Sequence, residues 1–425
     1  MKRKESVWKL SSALLLVIVV TQLVSLEAWA GSNFKTLYRF SGGEDGSQPY
    51  AGLIFDARGN LYGTTYTGGE FKKGTVFKLT ADAKGRWTES VLYSFRGGND
   101  GQNPLASLIF GADGNLYGTT PVGGGMGCMF NQTVGCGIIF RLTPSHDGTW
   151  KEVVLYRFKG GKDGSIPISS LISDSAANLY GTAQSGGDLR CEPPFGCGVV
   201  FKLTPTNGEW QETVLHAFTS DAGGENPDAG LIFDIAANLY GTTEFGGISG
   251  NGVVFQLAQS SEGQWKETIL HRFNGSHDGS RPTSVLTFDQ SGDLYGTTVV
   301  GGFFNSGTVF KLTSNSGGSW KESVIHTFNG PYGASPIAGV MSDQAGNLYG
   351  TTAASGAIPG CGCGLVFRLE EQSNGKWRET VVHRFTDGPG AFPTAGVIFD
   401  AAGNIYGTTS GDSTATFGSV FVMKP

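Results

Sequence analysis

The chain has 425 residues, with 30 basic and 36 acidic side chains and a net charge of −6. That balance argues against a nucleic-acid partner and against adhesion to anionic lipid. Glycine is abundant, at 68 residues, and its recurrence at fixed places marks turns rather than disorder.

Residues 1–30 read as a secretory signal peptide. Lys2, Arg3 and Lys4 precede a mostly apolar run from Leu10 to Leu26, and Ala28-Trp29-Ala30 offers a small-residue cleavage site before Gly31. The run falls short of the ~20 residues a membrane span prefers and contains Ser12, Thr21 and Gln22. Cleavage removes four basic and two acidic residues, leaving 26 basic against 34 acidic side chains and a net of −8. A secreted or periplasmic monomer with no membrane attachment after cleavage is expected, from one large all-β domain spanning residues 31–425.

The next segment, Phe34 to Phe40, has the pattern of a single strand. After it, one phrase recurs seven times: Asn60-Leu-Tyr-Gly-Thr-Thr65 and its relatives, with tyrosines at 62, 117, 180, 240, 295, 349 and 406. The spacings of 55, 63, 60, 55, 54 and 57 residues indicate a repeat architecture. Each unit reads as four strands, A to D. In the fourth copy these are Leu231 to Asp234, Asn238 to Thr243, Val253 to Leu257 and Trp265 to Phe273.

Strand A ends on an aspartate in six copies, Asp56 among them, with Gly111 in its place in the second. A repeated acid suggests calcium, but capping of the A–B turn explains it more simply. Strand D begins with a tryptophan followed two residues later by a glutamate, as in Trp87 and Glu89, and later carries Tyr93, Tyr156, His216, His271, His326 or His383 in one register. Alternation of tyrosine with histidine asks for a ring with a polar tip, not a metal ligand.

Six cysteines fall in the B–C loops as local pairs: Cys128 with Cys136, Cys191 with Cys197, and Cys361 with Cys363. In an exported chain these read as disulfides; the last would close a strained ring. They lack the spacing of a zinc site, and no metal or cofactor is expected.

The chain closes with Gly418 to Lys424, a C strand with no D after it, and it opens with a D strand that has no A, B or C before it. The two fragments complement each other. Pairing them predicts a seven-bladed β-propeller of four-stranded blades, the last blade closed by the N-terminal strand. An open solenoid would instead need capping units.

The unit from Phe55 to Thr80, F-D-x-x-G-N-L-Y-G-T-T-x-x-G-G followed by G-T-V-F-K-L-T, resembles the GloVer tandem repeat of exported bacterial proteins. D-x-x-G-N-L-Y is more loosely similar to a blade motif of NHL-type propellers. The resemblance implies an extracytoplasmic location and no particular activity. The C-terminal sorting segment common in that family is not expected, because Pro425 follows the last strand.

In such a ring the B–C loops and D–A connections share one face. The B–C loops differ most between copies, and variable loops on a rigid scaffold are where binding concentrates. The candidate face therefore includes Tyr66, Phe130, Arg190, Glu192, Phe195, Glu244 and Phe245. The expected role is that of a binding or scaffold module for a glycan or an extracellular protein. The alternative is a polysaccharide hydrolase or lyase using Glu192 and Glu244, since glycoside hydrolysis needs two carboxyls about 5–10 Å apart. No serine elbow, zinc helix or phosphate loop points to another chemistry.

Overall fold

A computed structural model describes residues 34–424, apart from 126, 131–132, 220–222, 316, 356–361, 387, 389 and 412–415. The segment read as a signal peptide lies outside the described residues.

Seven four-stranded antiparallel sheets follow one another along the chain. The first takes its strands A to D from Ile54–Phe55, Leu61–Thr65, Thr75–Ala81 and Trp87–Ser94. The seventh joins Ile398–Phe399, Ile405–Thr409 and Ser419–Met423 to Phe34–Arg39 from the other end of the chain. There Phe34 pairs with Met423 and Arg39 with Ser419. The fold is the seven-bladed propeller, closed by its first strand.

The repeated phrase builds the ring residue by residue. All five residues of Leu61–Thr65 are buried. Gly63 pairs with Phe77 on strand C, and a Cβ there would stand 2.6 Å from the ring's Cζ. The first threonine of the phrase donates across to the next blade: Thr119 to the Ser169 carbonyl at 3.1 Å, Thr351 to Ala395 at 2.9 Å. Thr408 of the seventh blade donates to Ala51 of the first at 3.0 Å, which carries the pattern through the closure.

The tyrosine and the turn aspartate act together. Asp56 Oδ1 accepts the Arg58 and Asn60 backbone N–H groups at 2.9 Å each, while Oδ2 accepts from the Asn60 amide at 2.7 Å and the Tyr62 hydroxyl at 3.1 Å. Where Gly111 replaces the aspartate, Asp113 takes over and accepts from Tyr117 at 2.8 Å. The tyrosine ring also meets the next blade's tryptophan, Tyr62 with Trp150 at 6.5 Å and Tyr406 with Trp87 at 6.5 Å.

In four blades the Tyr or His on strand D reaches the acid of its own D–A connection. Tyr38 donates to Asp45 at 3.0 Å and Tyr156 to Asp163 at 2.9 Å, and His271 lies 3.3 Å from Asp278. The strand-D glutamate of the following blade is wedged beside this ring, as Glu267 is 3.5 Å from His216. Burial pushes Glu89, Glu152, Glu212, Glu267, Glu322 and Glu379 up to about 7.

A proline precedes strand A in every blade, as Pro49 lies five residues ahead of Ile54. The residue before each of these prolines takes a left-handed backbone, for example Gln48 at φ 58° and Arg281 at φ 58°.

Candidate functional site

Isolated bridges tie the D–A connection to the B–C loop in five blades, among them Ser47 to Thr67, Gln102 to Val122 and Ser280 to Val300, and a short strand pair does so in the fourth. Both sets of loops therefore share one face. The left-handed residues are the struts of that face. Arg281 N–H donates to the Asn251 carbonyl of the preceding blade at 2.9 Å, and its own carbonyl accepts from Val299 at 3.1 Å.

The residue after the proline then points at the central channel, a cavity of about 320 Å³. The lining there includes Tyr50, Leu105, Ile168, Asp228, Thr283 and Ile337, among small residues such as Ala51, Gly52, Ser169 and Gly339. Asp228 is the one charged side chain of that lining among the described residues.

Asp228 differs from the strand-D glutamates in facing the channel. Its Oδ1 is shielded from solvent and makes no hydrogen bond. Burial first, then the charge and hydrogen-bonding reach of the Glu244 carboxyl, hold it well above the usual carboxylate range; the Gln184 amide and the Arg281 charge pull the other way. Glu244 is buried and ion-paired with Arg281, whose Nε lies 2.7 Å from Glu244 Oε1. The Arg281 guanidinium in turn sits over the Phe245 ring, 5.4 Å from its centroid. On the first blade, Tyr50 and Tyr66 meet edge to face at 5.5 Å, and Gln48 donates to the Tyr50 hydroxyl at 3.1 Å.

The residues named from sequence fall into two groups. Tyr66 meets Tyr50 and Glu244 reaches Asp228, both of the channel lining, and Phe245 lies under Arg281. Arg190, Glu192 and Phe195 lie farther out on the third blade's loop. Arg190 is held by Asp188, Nη2 to Oδ2 at 2.6 Å. Glu192 is exposed, and its charge helps to push Glu225 up, after burial. Phe195 is 64% exposed. Phe130 belongs to a short hairpin strand, Met129–Phe130, paired with Thr133–Val134; its side chain is outside what the structure describes. The carboxyl beside Glu244 is that of Asp228.

Disulfides join Cys128 to Cys136 and Cys191 to Cys197. The latter sulfurs lie with a Glu225 oxygen within 4.8 Å of one another, but bonded sulfurs do not offer thiolates. Cys363 is buried and disulfide-bonded; Cys361 lies outside the described residues.

Exposed apolar side chains concentrate on this face. Twelve large ones are exposed among the described residues. Ten belong to B–C loops or D–A connections, including Phe71, Phe303, Phe304 and Tyr332, and only Ile235 lies on an A–B turn. Arg96 covers Phe71 and Arg384 covers Tyr332, at 5.4 and 5.2 Å from the ring centroids.

The model of the Gloeobacter/Verrucomicrobia repeat matches residues 23–191, 126–322 and 260–425. The chain belongs to that repeat family. Among solved structures, this family member is similar to a periplasmic gluconolactonase of Pseudomonas aeruginosa, with 14% identity, TM-score 0.50, and 79% of this chain and 84% of that one covered. A Lactobacillus plantarum protein matches at 15% identity and TM-score 0.50, with the same coverage. A Dyadobacter fermentans protein covers 92% of this chain and 98% of its own, at 12% identity and TM-score 0.46. These likenesses concern the fold. No curated protein matches the repeat protein in sequence. Among the described residues no helix is long and apolar enough to cross a membrane.

Proposed function

We propose that this propeller is an exported carbohydrate-binding module that works outside the cytoplasm through its B–C loop face. The observation that carries the reading is the gathering of exposed aromatic rings on that face, Phe71, Phe195, Phe245, Phe303, Phe304 and Tyr332. Sugar rings present weakly apolar C–H faces that stack on aromatic planes, while their hydroxyls remain in water. Disulfides in the loops accord with an oxidising compartment.

The hydrolase reading is weaker. Glycoside hydrolysis needs carboxyls about 5–10 Å apart, with room for a water or a sugar between them. The buried pair here, Asp228 and Glu244, is within hydrogen-bonding reach.

The test is affinity electrophoresis of the mature chain in gels containing soluble polysaccharides, with Phe303→Ala/Phe304→Ala and Phe71→Ala beside wild type. Retardation of wild type that weakens in the variants is expected. Equal mobility in every gel, or retardation untouched by the variants, defeats the reading, and capture of a protein partner at this face replaces it.

A further inference from the structure

We infer that the channel mouth is a pocket for the terminal unit of a neutral glycan, whose hydroxyls are held by Asp228, backed by the Glu244–Arg281 pair, and whose ring faces Tyr50. This rests on the carbohydrate reading above and adds a separate subsite to the outer aromatic loops.

The first argument is symmetry. Seven blades place a residue after the proline, and in three of them it is Leu105, Ile168 or Ile337. The fold therefore does not need an acid there. Leaving a buried polar atom unsatisfied costs about 1–3 kcal/mol, and Asp228 Oδ1 is such an atom. A group kept at that expense, facing a cavity, points to a ligand.

The second argument is donor and acceptor chemistry. The Asp228 and Glu244 carboxyls share one short region of space, with the Arg281 fork behind Glu244. Two neighbouring carboxyls offer several acceptor oxygens, and a guanidinium has five N–H donors, more than Glu244 can use. A sugar hydroxyl both donates and accepts, so neighbouring hydroxyls match this set. A carboxylate ligand would face Asp228 and Glu244. A divalent cation would face the Arg281 charge.

Size and shape agree. The channel volume of about 320 Å³ lies at the lower end of small-molecule sites, roughly 300–1,000 Å³, which suits one end of a chain rather than its middle. Tyr50 lines the same channel from the first blade. In a ring of seven, the first and fourth blades stand across the channel from each other. An aromatic wall then opposes a hydrogen-bonding wall.

The experiment is saturation-transfer NMR and calorimetry with a panel of neutral disaccharides (cellobiose, laminaribiose, maltose, chitobiose) and, separately, calcium chloride. The proteins are wild type, Asp228→Leu, Tyr50→Ala and Phe303→Ala/Phe304→Ala. A disaccharide should bind wild type, and binding should weaken at least about tenfold, 1.4 kcal/mol, in Asp228→Leu and in Tyr50→Ala. The Phe303→Ala/Phe304→Ala protein should keep the disaccharide while losing polymer. Disaccharide binding unchanged in Asp228→Leu and Tyr50→Ala overturns the inference. So does calcium binding that Asp228→Leu abolishes. Polymer retardation with no disaccharide binding overturns the subsite but leaves the module reading standing; loss of both overturns both. If Asp228→Leu does not fold, Tyr50→Ala, on the opposite wall, decides the question alone.

Discussion

The Phe34 ring lies flat on the His383 imidazole, 4.1 Å between centroids and 2° from parallel. Phe34 occupies the register that a glutamate holds on strand D of the other blades, as the pairing of Glu89 with Leu79 and of Phe34 with Met423 shows. It also meets Phe385 edge-on at 5.9 Å and Phe421 at 5.6 Å. The joint between the sixth and seventh blades is thus aromatic where the others are polar. Phe34→Ala should lower the unfolding free energy by about 2 kcal/mol, below the full cost of a buried phenylalanine because Phe34 is only partly covered. Equilibrium denaturation in urea measures it; a change within ~0.5 kcal/mol, typical of a surface site, would show that the seam does not depend on this ring.

The buried glutamates make stability depend on pH. Burial raises all six to about 7 in the fold, above the ~4.3 of an unfolded glutamate. Their contribution is complete below that unfolded value and is lost as pH rises through 7. His216, His326 and His383 are pushed the other way, to about 4, by burial. Their contribution is present above the ordinary ~6.5 and is lost as pH falls toward 4. With six such glutamates against three histidines, unfolding free energy should be highest near about pH 4.5 and decline as pH rises to about 7. Glu267→Gln keeps a neutral side chain at every pH, so it should flatten that decline. Denaturation curves at four pH values check this, and a slope identical to wild type would contradict it.

Gly63→Ala should destabilise by about 1–3 kcal/mol, the usual cost of overpacking, because the new Cβ meets Phe77 at 2.6 Å. Phe77→Leu should be less harmful in the Gly63→Ala background than alone, since it removes the clashing ring. A double-mutant cycle gives the coupling; strict additivity would mean the backbone relaxes instead.

The repeat phrase was enough to read the fold because each of its residues acts on a neighbour in the ring. Gly63 admits Phe77, Tyr62 reaches Asp56 and Trp150, and the threonine reaches the next blade. Complementary termini supplied the closure. Much less of the site was legible. Tyr66, Glu244 and Phe245 showed themselves because the first loop positions differ between copies. Asp228 and Arg281 did not, because they flank Pro227 and Pro282, and a residue before proline is ordinarily extended. Its left-handed backbone, which turns the connection into the channel mouth, is imposed by the hydrogen bonds of two blades. The variation from Gln48 to Asn103, Ile166, Asn226, Arg281, Ser335 and Phe392 was the available signal. Phe303 and Phe304 escaped notice because their loop keeps the ordinary length.

The loop disulfides should stabilise by about 2–3 kcal/mol each on the chain-entropy model. Replacing Cys191 and Cys197 by alanine should lower stability by that amount and leave the blades folded, as judged by denaturation and far-ultraviolet circular dichroism. Stability equal to wild type would show that the loop is held by its hydrogen bonds alone, such as Gly186 N–H to the Phe195 carbonyl at 2.7 Å.

Hydrogen exchange read by mass spectrometry, with and without a polysaccharide that retards the protein, tests the claim that one face does the binding. The account predicts slower exchange in the B–C loops and D–A connections, strongest around residues 244–250 and 302–306, with the A–B and C–D turns unchanged. Protection confined to those turns, or spread evenly around the outer strands, would contradict it.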